Sequence, residues 1–281
     1  MLMSFAVIGL VNHLSHGLDE SLEAEKSFRA HLLLESARAL STHPDLKRGD
    51  PLLRQAVSAS SSYEVTLSSE GTRIAINQLG TSPVQRKVAQ RLFEKWGLDA
   101  QQSQTITESI ADWIDPNDRP RPLGAERDFY AAQEHEDFPF NRPFQNLDDV
   151  LLVRGTAELD RRRPNWRDSF TLYGDGTIDL PLVSGEMLEV LFDVSPSEVG
   201  RFVRARLGPD GRPDTEDDPT FATLPAVRRL LDVPEPNYAA VLSILTLQHP
   251  IKHVDCLARV GRLERRLTVL SGPGVMLVRE E

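Results

Sequence analysis

With 281 residues, 40% of them apolar, the chain can enclose a substantial core, while a formal charge of −10 argues against a surface built to hold a phosphate backbone. The single cysteine, Cys256, excludes an internal disulfide, and no His or Cys pair has the spacing of a structural zinc site. What remains is an acidic globular protein without a nucleic-acid footprint.

Residues 1–11 are almost wholly apolar, but a helix of that length rises only about 16 Å, roughly half of a bilayer core. The Lys/Arg-bearing front of a secretory signal is not among them. Leu14, Leu18, Leu22, Phe28, Leu32, Leu33 and Ala37 then recur at helical spacing, which predicts one helix running to about Leu40. Pro44, Gly49-Asp50-Pro51 and the serine-rich run 58–62 interrupt the chain. Residues 63–67 and 73–77 alternate with the period of a strand and are expected to pair as a hairpin across 68–71. From Ser82 to Trp96, a helical face of Val84, Val88, Leu92 and Phe93 ends at Gly97. Asp99 is placed to cap the next helix, whose stripe is Ile106, Ile110, Trp113 and Ile114, and Pro116 and Pro120 prevent its continuation.

A polar, proline-rich loop follows, then a short helix predicted over 147–153 and a charged, exposed stretch over 160–167. Arg161, Arg162 and Arg163 in that stretch read as a solvated face in an acidic chain. Residues 177–207 hold Ile178-Asp179-Leu180-Pro181, a helix with Met187, Leu188, Val190 and Leu191, a tight turn over 193–196 and a second helix over 199–207. This is a helix-hairpin-helix-like unit, but its turn carries Asp193 and no glycine, which repels phosphate. Leu224, Val227, Leu230 and Leu231 finish the helical part, and Val233-Pro234-Glu235-Pro236 reads as a linker. Four strands are predicted over 238–247, 254–260, 263–270 and 274–278, continuing the sheet begun near residue 63. The fold class is therefore α+β: a long N-terminal helix over 1–41, an antiparallel sheet domain over 42–80 and 237–281, and an inserted all-α domain over 81–236.

Two acidic loops carry the candidate chemistry. Asp210, Asp214, Glu216, Asp217 and Asp218 put five carboxylates within nine residues beside the turn-forming Gly211, a density of hard oxygens that suits calcium although the spacing is not that of an EF-hand. The second set is Asp115, Asn117, Asp118, Glu126 and Asp128, whose oxygens converge if the proline-rich loop folds back on the helix end. Either set is a candidate calcium site. Read as acid-base catalysts, the same carboxylates lack aromatic residues to bind sugar, and no His lies near a Ser or Asp in a nucleophile motif, so no active site is read. Cys256, in an apolar segment, is expected to be a buried inert thiol.

The order Asp112-Trp113-Ile114-Asp115 with Asp118, then Gly124-Ala125-Glu126 with Asp128 and Tyr130, then Asn141-Arg142-Pro143-Phe144, resembles the minor pseudopilin K family of type II secretion (general secretion pathway protein K, GspK-like). Ile76-Asn77-Gln78-Leu79 matches in part the asparagine-leucine sequence that closes the family's first strands. The resemblance implies a pilin-like N-terminal helix that starts in the inner membrane behind a basic leader, a soluble part in the periplasm, and a large helical insertion containing the helix-hairpin-helix-like unit. It also implies a non-enzymatic role capping the pseudopilus tip with other minor pseudopilins as partners, and the apolar stripe of Leu14, Leu18, Leu22 and Leu32, which would otherwise be left exposed, is the face expected to bind them. It supports calcium as a bound ion without locating it. The competing readings are a helix-hairpin-helix nucleic-acid-binding module, which needs a basic surface, and a carboxylate-dependent hydrolase, which needs a pocket with perturbed carboxylates.

Overall fold

The protein is described here by a computed structural model covering residues 2–43, 46–213, 215 and 217–281, with side chains from residue 20 onward. Helix α1 (Leu2–Ser41) is a single 40-residue element, close to the predicted span and about 60 Å long. Among its described side chains, Ala30, Leu34 and Ala37 press fully onto the sheet. Burying a leucine such as Leu34 contributes about 2 kcal/mol.

That sheet has five antiparallel strands in the order β1 (Arg54–Ser58), β2 (Ser61–Ser69), β7 (Lys252–Val260), β8 (Leu263–Gly272) and β9 (Val275–Glu280). Val65 of β2 stands opposite Cys256 of β7, and Cys256 opposite Leu267 of β8, so one face of alternate residues meets α1. The sheet thus joins chain segments almost 200 residues apart in sequence, as the returning strands predicted. Cys256 is buried, and burial pushes its thiol up to about 12, in keeping with an inert side chain.

Several local expectations are corrected. Residues 73–77 do not pair with 63–67: β2 pairs with β1 on one side and β7 on the other, and the stretch read as an interruption contributes β1. Ile74, Ala75 and Ile76 are all buried, so they lack the exposed face a hairpin strand would show; β3 (Ile74–Ala75) instead lies parallel to β4 (Phe170–Thr171) inside the helical core. A second short parallel pair joins β5 (Ile178–Asp179) to β6 (Leu245–Thr246), so the inserted region is mostly but not wholly helical. The stretch 160–167 is not simply exposed, because Leu159 and Trp166 are fully buried on either side of its three arginines, and α5 (Thr156–Arg162) runs into it. Residues 238–247 are not a strand. Pro234 and Pro236 start helix α9 (Glu235–Val241), which buries Tyr238 and Val241 three residues apart, and only the last two residues of the predicted span that lie beyond Ile244 and before Leu247 are extended.

The remaining helices are α2 (Pro83–Lys95), α3 (Ala100–Ile114), α4 (Arg127–Ala131), α6 (Gly185–Phe192), α7 (Pro196–Arg206) and α8 (Leu224–Leu231). Asp99 caps α3 reciprocally with Gln102, a capping box whose loss would cost about 1 kcal/mol. The helical core fills with Trp113, Trp166, Phe93, Phe170, Phe192 and Phe202. It is separate from the cluster under α1, and the two meet at a buried polar seam. There Ser69 Oγ donates to Asp179 at 2.7 Å, Glu70 pairs with His253 at 2.5 Å and with Arg73 at 2.7 Å, and Thr171 donates to the other Glu70 oxygen.

Candidate functional site

The end of α3 is held by its aromatic neighbours. Trp113 is surrounded by Tyr130, Phe138, Phe140 and Phe144 at ring distances of 5.0 to 6.2 Å, which fixes the rotation of the last helical turn. Asp112 and Asp115, one turn apart, are thereby turned together toward the loop that folds back after Pro116. Loop residue Arg121 donates its backbone N–H to Asp112 Oδ2 at 3.1 Å, and Arg121 Nη1 bonds both Asp112 Oδ1 and, at 2.6 Å, Asp115 Oδ2. Gly124 permits this approach: a Cβ there would lie 2.7 Å from Asp112 Cγ and closer still to its Oδ2.

The third carboxylate is Glu126, at the start of α4. Ligand atoms of Asp112, Asp115 and Glu126 all lie within 4.8 Å of one another. Asp112 is fully buried and Glu126 is 4% exposed, yet neither oxygen of Glu126 has a hydrogen-bond partner. Burial, then the nearby Asp112, Asp115 and Asp118, push its carboxyl up to about 8. Burial also raises Asp112, against the opposing bonds from Arg121. A set of converging oxygens with one buried orphan carboxylate fits a hard divalent cation such as calcium, which would take Asp112, Asp115 and Glu126 as its protein ligands.

The structure sorts the sequence candidates. It brings Asp115 and Glu126 together. Asp118 accepts from Asn141 Nδ2 at 2.9 Å and acts on Glu126 only through its charge; Asn117 folds onto Asp115 Oδ1; and Asp128 is exposed in the first turn of α4. Asp112 belonged to the quoted motif but not to the candidate ligands, and its signal was the Asp-x-x-Asp spacing that puts two carboxylates one helical turn apart. In the later loop, Asp214 and Glu216 lie outside the described residues. Asp210 accepts from Arg212 N at 2.7 Å, Asp217 accepts from Asp210 N at 3.0 Å and from Thr215 Oγ1 at 2.7 Å, and Asp218 accepts from Thr215 N at 3.4 Å. These carboxylates cap their own turn. Along α1, Leu22 and Leu32 are 51% and 49% exposed, whereas the side chains of Leu14 and Leu18 lie outside the described residues.

The helix-hairpin-helix-like unit is present as α6 and α7, but Asp193 occupies its turn with a left-handed backbone and a largely exposed carboxylate, which does not suit a phosphate. Among the described residues no helix is long and apolar enough to cross a membrane.

Residues 68–163 match the family described as type II secretion system (T2SS), protein K. Over 86 residues the chain is 30% identical to type II secretion system protein K of Klebsiella pneumoniae; the match takes in 29% of this chain and about a quarter, 26%, of the relative. The fold is similar to a chain in the crystal structure of the GspK-GspI-GspJ complex from the enterotoxigenic Escherichia coli type 2 secretion system, with a TM-score of 0.63 at 17% identity over 95% of this chain and 98% of the other. The matched segment, 68–163, contains every residue of the three-carboxylate cluster.

Proposed function

We propose that the chain belongs to the protein K family of type II secretion systems, which the match over residues 68–163 supports, and that it is a minor pseudopilin that caps the tip of the periplasmic pseudopilus and works by assembly, not by catalysis. The observation that carries this reading is the division of labour along α1. Ala30, Leu34 and Ala37 bury against the sheet, while Leu22, Phe28 and Leu32 remain half to two-thirds exposed. An apolar helical stripe left uncovered by its own domain suits association with other helices of the same kind. The partners are other minor pseudopilins, and the structural neighbour's place in a three-protein complex supports them. The helical region, 81–236 in our division of the chain, is too bulky to let another subunit stack beyond it, so the protein ends a filament. Its N-terminal helix starts in the inner membrane. Calcium, held by Asp112, Asp115 and Glu126, stiffens the loop that carries the aromatic cluster.

Co-purification with the two smaller pilin-like partners tests the assembly reading. The Leu18→Asp, Leu22→Asp double variant should lose both partners while its melting temperature in isolation stays unchanged. Retained partners and retained secretion, or filaments formed by this protein alone, would sink the tip assignment.

A further inference from the structure

We propose that Arg121 is a built-in counter-ion that occupies the cation position of the three-carboxylate cluster and must swing out for a divalent ion to bind. The inference rests on the calcium reading above and concerns what that reading leaves open, namely how the site is held before an ion arrives.

The geometry is specific. Arg121 Nη1 bonds both Asp112 Oδ1 and Asp115 Oδ2, the latter at 2.6 Å. Calcium sits about 2.3–2.6 Å from its oxygen ligands, so the nitrogen stands at the radius an ion would take from the same two oxygens. The other oxygens are also engaged: Asp112 Oδ2 by Arg121 N, and Asp115 Oδ1 by Asn117 N at 3.2 Å and by Asn117 Nδ2. Of the three carboxylates, Glu126 alone makes no hydrogen bond to the guanidinium, which acts on it only by charge, and both its oxygens are without a hydrogen-bond partner. One monovalent group thus satisfies two carboxylates and leaves the third, whereas one divalent ion could satisfy all three. Arg121 and the ion cannot both sit between Asp112 and Asp115, because unit charges at that spacing repel strongly in a buried setting.

The loop can release the side chain without unravelling. The backbone of Arg121 is fixed separately, its N–H on Asp112 and its carbonyl accepting from Gly124 N at 3.0 Å. Among the described residues the guanidinium makes one further hydrogen bond, Nη2 to Gly80 O at 3.3 Å, and its side chain is 24% exposed, so a path to solvent is already open. Arg86 lies close enough to act on Arg121 by charge and donates to Leu79 O at 2.6 Å and to Gly80 O at 3.3 Å. That second cation adds to the pressure to expel the guanidinium once an ion is bound. The consequence is a threshold: ion affinity at this site is set by competition with a tethered cation, and the loop stays folded in either state.

Isothermal titration of the chelator-treated protein with calcium chloride tests the competition. The Arg121→Gln variant should bind calcium at least about tenfold more tightly than the unaltered protein, and Arg121→Lys, which keeps the charge without the fork, should fall between them. On the unaltered protein, the Arg121 Nε–Hε signal in nitrogen-15 NMR should change from restrained in chelator to mobile in calcium. Equal or weaker binding by Arg121→Gln, or an Arg121 signal that stays restrained with calcium bound, overturns the counter-ion role while leaving calcium binding intact. No binding by the unaltered protein and by Arg121→Gln at millimolar calcium overturns the calcium reading itself, and this inference with it.

Discussion

Glu70 and Glu126 are buried to nearly the same degree, at 2% and 4% exposure, and the protein treats them in opposite ways. Glu70, at the seam between the sheet and the helical core, accepts from His253, Arg73 and Thr171. Those bonds outweigh its burial, so its carboxyl is held below the usual range, and bonds to Asp255 and Glu70 hold His253 above its own against burial and Arg73. Glu126 has no such partners, and its carboxyl is pushed up to about 8. One buried carboxyl is answered from within the chain, which marks a structural joint. The other is left unanswered, and the proposed cation site rests on that.

The largest expected effect comes from breaking the answered side. Glu70→Ala leaves His253 and Arg73 facing each other in a buried seam, and removing one partner of such a pair costs about 3–5 kcal/mol, measurable by urea unfolding. The pH profile sharpens the contrast. Glu70's contribution is present above its ordinary 4.5 and is lost as pH falls through its lowered value, while that of His253 is present below its ordinary 6.5 and lost as pH rises through its raised value. The seam is therefore strongest between about pH 4.5 and 6.5. Glu126 works the other way. From 4.5 to about 8 the folded protein holds a proton that the unfolded chain has released, so without a cation stability falls as pH rises across that window.

Gly124→Ala is the next test, because it attacks the unanswered side through space and not through charge. The added methyl would fall on Asp112, which the backbone of Arg121 holds in place, so the loop must shift at a cost of about 1–3 kcal/mol. If its stability and calcium response both match the unaltered protein, the close packing of loop on helix is not what assembles the site.

Glu126→Gln removes the orphan charge without changing its shape. In chelator at pH 8 the variant should be more stable by about 1–3 kcal/mol, since a buried unpaired carboxylate is gone, and its stability should no longer decline from 4.5 to 8 to the same extent. It should also lose the stabilisation by calcium expected of the unaltered protein. A variant less stable than its parent in chelator would mean that Glu126 has an internal partner after all.

Much of this contrast was legible in the sequence, for identifiable reasons. The cap at Asp99, the stripe of Ile106, Ile110 and Trp113, and the stop at Pro116 are local signals, and they place Asp115 and the folded-back loop. Asp112 was hidden because a polar residue inside an apolar stripe reads as a helix surface until tertiary packing buries it. The seam was hidden for a different reason: Glu70 and His253 are 183 residues apart, and Glu70 sat in what looked like a hairpin turn. The strand expected over 238–247 gives way to a helix because Tyr238 and Val241 satisfy a helical spacing as well as an apolar run, and Pro234 and Pro236, which read as a linker, instead open that helix.

The smallest expected effect separates the buried cluster from the exposed acidic turn. Asp217 accepts from Asp210 N and Thr215 Oγ1, and these bonds, ahead of the slight opposing effect of burial, hold its carboxyl below the usual range. It is thus an answered carboxylate like Glu70, but one in water, where the bonds it makes compete with solvent and count for little. Asp217→Ala should shift the melting temperature by less than about 2 °C, and the calcium-induced rise should persist at its original size. Differential scanning calorimetry with and without chelator gives both values. If Asp217→Ala abolishes the calcium response while Glu126→Gln keeps it, the ion belongs to the later loop, and a buried carboxylate without a partner is not the mark of the cation site in this protein.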